Sequence, residues 1–270
     1  MSLLLHISDT HFGTEKPAVV AALIALTRQR RPDILVFSGD ITQRARTEEF
    51  AAARNFCREL GVPRMLVLPG NHDLPLFNLI GRLTRPYARY LHDFGPRLEP
   101  LLESDAFLVV GVNTTRAMLH KDGEVSAEQI ERVSRQLENA RPSQLRVVVT
   151  HQPAAVIREE DEPDRLRGAE PALQAWSRAG ADLVLGGHIH LPYVLDLSAR
   201  SLPTLRPTWC VQAGTAVSDR VRHGTCNSVN LIHWRSPYLG EPRVCRVERC
   251  DYDGDAGGFK TASMDVLKLD

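Results

Sequence analysis

The chain has 270 residues, 43% of them hydrophobic and 24% charged, with Lys+Arg and Asp+Glu both numbering 33. That length suits one large domain with a substantial core better than two independent ones, and the balanced charge gives no support for a general nucleic-acid or anionic-membrane binder. No secretory signal opens the chain, no stretch approaches the ~20 apolar residues needed to cross a bilayer, and five scattered cysteines without a CxxC pair fit reduced thiols in a cytoplasmic protein.

Leu3–Ile7 reads as a strand running through Ser8 into Asp9-Thr10-His11. Lys16-Pro17 then opens a helix with Val20, Leu23, Ile24 and Thr27 on one face, and Arg28-Gln29-Arg30-Arg31 marks its solvated end. The buried strand Asp33–Phe37 leads to Gly39-Asp40. A helix from Thr47, with Phe50, Ala53, Phe56 and Cys57 inward, closes at Gly61. Arg64–Leu68 is the next strand and ends in Gly70-Asn71-His72-Asp73. Residues 74–102 read as broken helices forming a rim or flap over that end. Phe107–Val112 and Leu145–Thr150 are strands flanking a helix from about Ser126 to Ala140, whose Ser126-Ala127-Glu128-Gln129 resembles a capping box. The second of these strands runs into His151. A helical stretch, Leu173–Ala179, precedes the strand Asp182–Leu185, which leads to Gly187-His188-Ile189-His190.

After His190 the pattern turns to short strands, Tyr193–Leu197, Thr208–Ala213, Ser228–His233 and Val244–Val247, expected to be antiparallel and to complete a second sheet. Residues 251–270 read as a polar tail. Its Asp251-Tyr252-Asp253-Gly254-Asp255 looks like a calcium loop, but the acid due at the twelfth position is Ala262, which leaves a surface turn. The sum is α/β, a four-layer αββα sandwich of two mixed sheets, with one domain over 1–250.

Five of these segments end in groups that bind metal, and the strands before them place the groups at the same edge of one sheet. Asp9 and His11 are two apart, so in an extended segment both side chains face one way and can grip one ion. Asp40 has two oxygens and is the natural bridge between two cations. Asn71 offers an amide oxygen, while His151, His188 and His190 offer imidazoles. Oxygen and nitrogen ligands without thiolate favour two divalent or trivalent ions, Mn, Fe or Zn, over a structural zinc site. Two such ions ~4 Å apart can hold a hydroxide and clamp the attacking and leaving oxygens of a phosphoryl centre.

DxH, GD, GNHD, an isolated His and GHxH, in this order, resemble the calcineurin-like metallophosphoesterases, and the DTHFG, GDIT and PGNHD wording is most similar to the bacterial class III cyclic-nucleotide phosphodiesterase branch. The resemblance covers about Leu3 to His190. It departs at Gln152 and over Gly111–Thr115. It implies that Asp9, His11, Asp40 and His190 hold one metal, and that Asp40, Asn71, His151 and His188 hold the other. It further implies that His72 points at substrate and assists the leaving oxygen. Asp73 is expected to orient His72, or to cap a helix ahead of Leu74-Pro75.

The expected activity is hydrolysis of cyclic nucleotides or other small phosphodiesters, by in-line attack of a metal-bridging hydroxide. Arg82, Arg85, Arg89 and Arg116 are candidates to contact the substrate. The alternative is a pyrophosphatase for a UDP-linked lipid precursor, with Leu76, Phe77, Leu79, Ile80, Tyr87, Tyr90 and Leu91 supplying an apolar groove. A non-enzymatic scaffold is a third reading, which the full ligand set disfavours. The expected partner is a small-molecule phosphodiester rather than nucleic acid, with no membrane span and a homodimer admitted.

Overall fold

The computed structural model describes residues 1–76, 79–198, 206–238 and 240–270. Two six-stranded mixed sheets face each other, each covered on its outer side by helices. In the first sheet, β1 (Ser2–Ile7), β2 (Ile34–Phe37) and β3 (Arg64–Val67) run parallel, joined by α1 (Pro17–Arg30) and α2 (Thr47–Leu60). In the second, β5 (Phe107–Gly111), β6 (Leu145–Val149) and β7 (Leu183–Gly186) run parallel, joined by α5 (Ala127–Glu138) and α6 (Ala169–Ala179). Strands buried on both faces explain why Ile34–Phe37 and Val147–Val149 are unbroken apolar runs with no alternation.

Leu4, Val36, Leu66, Val109, Val147 and Leu185 fill the space between the sheets, whereas Leu5, Leu35 and Phe37 turn the other way, toward α1 and α2. Each such fully buried side chain contributes about 1.5–3 kcal/mol. Pro17 starts α1 where its missing N–H is not needed, and Gly61, at φ +65, ends α2. The capping box of α5 is present: Ser126 Oγ accepts from the Gln129 amide at 3.3 Å, and Gln129 Oε1 accepts from the Ser126 amide at 2.9 Å.

Three expectations need correction. The five motif segments lie at one edge of two facing sheets, not of one, because β1, β2 and β3 pair in the first sheet while β6 and β7 pair in the second. The late strands also divide. β8 (Tyr193–Asp196) and β9 (Trp209–Gln212) join the second sheet, with β9 parallel to β7, but β10 (Ser228–Trp234) pairs with β1 in the first. Residues 251–270 are no tail: β11 (Val244–Asp253) turns through Gly254 into β12 (Gly258–Lys268), an edge hairpin of the first sheet. An edge strand buries few side chains, chiefly Leu267 here, so its hydrophobic pattern is faint.

The rim segment 74–102 contains α3 (Leu79–Thr84), α4 (Ala88–Phe94) and the start of β4 (Leu101–Glu103). Tyr90 is buried and donates to Val67 O at 2.7 Å, Tyr87 donates to Thr115 O, and Leu91 packs on the first core. Leu76 and Ile80 are exposed; Phe77 and the Leu79 side chain fall outside the described residues. Among the described residues no helix is long and apolar enough to cross a membrane.

Candidate metal centre

The C-terminal ends of β1, β2, β3, β6 and β7 deliver Asp9 and His11, Asp40, Asn71, His151, and His188 and His190 to one place. Getting them there strains the chain. Seven of the described non-glycine residues have positive φ, and five of them are Asp9, His11, Asp40, His188 and His190. Such conformations cost on the order of 1–3 kcal/mol each and persist where function over-determines them. The motif glycines are equally constrained. Gly39 sits at φ +105, and a Cβ on Gly70 would stand 2.2 Å from both the amide nitrogen and Oδ1 of Asp40.

Two groups of donors meet at Asp40. On one side His11 Nε2 lies 3.2 Å from His190 Nε2, 3.8 Å from Asp9 Oδ1 and 3.7 Å from Asp40 Oδ2. On the other, His151 Nε2 lies 3.2 Å from both Asp40 Oδ1 and Asn71 Oδ1, with His188 alongside. Atoms that share an ion at about 2.1 Å stand about 3–3.5 Å apart. The 3.2 Å spacings fall in that range and those of 3.7 and 3.8 Å slightly beyond it, so these residues would suit two cations, one on each side of Asp40. Hydrogen bonding agrees. Nδ1 of His151 donates to Ser38 O at 2.9 Å and Nδ1 of His190 donates to Arg220 O, which aims both Nε2 atoms into the centre. Asp9 Oδ1 and His188 Nδ1 are buried and have no hydrogen-bond partner.

The charges point the same way. Burial pushes Asp9 and Asp40 up, but His190 beside Asp9 and His151 beside Asp40 outweigh it and hold both carboxyls below the usual range. Burial lowers His151 in turn, yet the Asp40 carboxylate raises it to about 9. His190 is raised against burial by Asp9. Burial keeps His11 at about 3 and His188 at about 4, both neutral. Two buried carboxylates ringed by imidazoles are a ready cation site.

His72 borders this centre. Its Nδ1–H donates to Gln43 O at 2.9 Å, its backbone amide donates to Asp40 Oδ1 at 2.9 Å, and its ring meets His11 edge-on at 4.8 Å. Asp73 does not reach the His72 ring, contrary to expectation. Its carboxylate accepts from the amides of Gly70, Ile41 and Thr42 and from the Thr42 hydroxyl, all within 3.0 Å. Asp73 therefore ties the loops after β2 and β3 together. Burial and the Asp40 charge raise it to about 6 against the pull of these donors.

The rim arginines are occupied elsewhere. Arg82 donates to the carbonyls of Ala117, Pro75 and Leu119, Arg89 to that of Ala45, and Arg116 to those of Asn113 and Thr115. Arg85 lines a separate cavity of about 150 Å³. None of the four lines the opening of about 670 Å³ above the metal centre. That opening is edged instead by His120, Lys121, Arg220 and Arg222. Sequence reasoning missed these, since Arg220 and Arg222 follow a strand of the second sheet, far from every motif. Gln152, where the wording departed, is buried and joins Thr114 Oγ1 to Lys121 O, bracing the loop that carries His120 and Lys121.

The calcineurin-like phosphoesterase family model matches residues 3–192. A glycerophosphodiester phosphodiesterase of Enterobacter lignolyticus is 40% identical over 84 residues, 26% of this chain and 29% of that protein, so the chain matches less than a third of that relative's length. A probable cyclic nucleotide phosphodiesterase of Synechococcus is 24% identical over 204 residues, 71% of this chain and 74% of the relative. Among solved structures, a purple acid phosphatase from yellow lupin superimposes with a TM-score of 0.70 at 12% identity, over 100% of this chain and 54% of that one, a likeness of fold.

Proposed function

The chain belongs to the calcineurin-like phosphoesterase family, and from that premise we propose that it is a two-metal phosphodiesterase acting on small phosphodiesters, cyclic nucleotides among them. One observation carries the reading: Asp40 turns Oδ2 toward His11, which groups with Asp9 and His190, and Oδ1 toward His151, which groups with Asn71 and His188. A carboxylate shared between two donor groups is what a dinuclear centre needs. When bound there, the ions supply positive charge to the phosphoryl oxygens and acidify the attacking water.

The remaining chemistry belongs to the protein. The His72 amide fixes one Asp40 oxygen, while Asp73 fixes the loops that carry Asp40 and Asn71. With Nδ1–H committed to Gln43 O, Nε2 is the atom of His72 left to give a proton or hydrogen bond to the leaving oxygen. Both sequence relatives carry phosphodiesterase names, which supports a diester over a monoester.

The test is a panel of 3′,5′-cyclic AMP, glycerophosphodiesters, bis(4-nitrophenyl) phosphate and 4-nitrophenyl phosphate, each with Mn, Fe and Zn. Turnover of diesters that is abolished in Asp40→Ala is the expected result; hydrolysis of the monoester alone would sink the diesterase reading. A second reading, cleavage of a lipid-linked pyrophosphate, draws on the exposed apolar side chains Leu76, Ile80, Leu83 and Met118. It requires a UDP-lipid analogue to outcompete every soluble diester in the same panel.

A further inference from the structure

Arg220 lies in the loop between β9 and β10, outside the family's motifs. Its guanidinium Nη1 is 3.1 Å from Gln43 Oε1, 3.2 Å from His72 Nε2 and 3.4 Å from both His72 Nδ1 and His11 Nδ1. It stands directly beside the first group of metal donors. Gln43 Oε1 is the acceptor among these partners, and none of them carries a negative charge. Among the described residues, no carboxylate oxygen lies within ion-pair distance of Arg220. Two other cations of the same opening are neutralised: Lys121 pairs with Asp164 at 2.5 Å, and Arg222 pairs with Asp161 at 2.7 Å and with Glu160.

A half-buried guanidinium without a counter-ion is costly unless an anion arrives to meet it. Its planar fork matches two phosphate oxygens, which an ammonium does not. Gln43 Oε1 accepts from Nη1 of the fork, and the same Gln43 positions His72 through its carbonyl, so both side chains are held by one residue. The main chain is anchored as well, because Arg220 O accepts from His190 Nδ1 and from Thr215 Oγ1.

We propose that Arg220 is a substrate-contacting residue whose guanidinium binds the non-bridging oxygens of the phosphoryl group between His72 and the metal centre. This rests on the phosphoesterase reading, and it says how a site with few cations left over selects an anionic phosphate ester. It also separates two roles of one residue: the carbonyl orients the ligand His190, and the side chain meets substrate. Replacing the side chain therefore removes the second role and keeps the first.

The experiment compares wild type, Arg220→Gln and Arg220→Lys as metal-loaded full-length protein. Calorimetric titration with inorganic phosphate gives affinity, bis(4-nitrophenyl) phosphate gives kcat and KM, and elemental analysis gives metal per chain. Loss of one charge-assisted hydrogen bond predicts about 10- to 100-fold weaker phosphate binding and lower kcat/KM in Arg220→Gln. Arg220→Lys should recover part of the phosphate affinity, and metal content should stay at the wild-type level in both. Phosphate affinity within twofold of wild type in Arg220→Gln overturns the proposal, and so does loss of metal, which would make the residue structural. If the wild type cleaves no diester, the diesterase reading falls, while the phosphate titration still judges Arg220.

Discussion

Gly70→Ala puts the second donor group under direct stress. The added Cβ would lie 2.2 Å from Asp40 Oδ1, 2.2 Å from the Asp40 amide and 2.8 Å from His151 Nε2, where real Cβ contacts essentially never fall below 3.0 Å. At least about 0.8 Å of movement is needed, and the backbone of Asp40 cannot swing aside like a flexible side chain. Overpacking of this kind costs about 1–3 kcal/mol of stability. The functional loss should be larger, since metal–ligand distances tolerate only about 0.2 Å and a 1 Å misplacement costs about 100-fold in rate. Gly254→Ala is the control, because a Cβ there meets nothing within 4 Å. Elemental analysis should show that Gly70→Ala loses metal, and kcat on a diester should drop about 100-fold or more, with Gly254→Ala unchanged. Wild-type metal content together with kcat within twofold in Gly70→Ala would refute the reasoning.

Other outcomes follow from the same geometry. Burial lowers His6 from 6.5 to about 3 while its Nε2 shares a hydrogen bond with Ser38 Oγ at 2.9 Å. The unfolded chain thus binds the extra proton first, and stability present above pH 6.5 is lost as pH falls toward 3. From pH 7 to pH 5 that loss is about 2 kcal/mol for this one group. Urea unfolding of chelator-treated protein should show it, with the slope flattened in His6→Asn; parallel pH profiles would count against it. Adding metal at about 100 times its Kd should stabilise the protein by about 2.7 kcal/mol, or about 5–10 °C in Tm. Identical melting with chelator and with metal would contradict the assignment of the site. Ser126→Ala removes the Oγ that accepts from the Gln129 amide and should cost about 1 kcal/mol in chemical denaturation. Its kcat should be unaffected, and a change in kcat would show that α5 communicates with the site.

The sequence by itself determined what is local. Asp9 and His11 sit two apart at a strand end, Gly39 and Gly70 precede a ligand where a tight turn is needed, and buried parallel strands announce themselves as unbroken apolar runs. Helix limits such as Pro17, Ser126 and Gly61 were equally plain, since capping depends on neighbours within a few residues. The tertiary structure decided whatever depends on distant partners. The strands carrying the donors divide between two sheets, because β10 pairs with β1 across more than two hundred residues. Asp73 was chemically visible, but only the packing of two loops reveals that its oxygens bind backbone amides rather than the His72 ring. The rim arginines looked free until carbonyls of the neighbouring loop proved to hold three of the four. Arg220 carries no signal in its own neighbourhood. A charge acquires its role from what surrounds it in space, and there Arg220 meets Gln43, His72 and His11 beside the candidate metal ligands, with no carboxylate among the described residues at ion-pair distance.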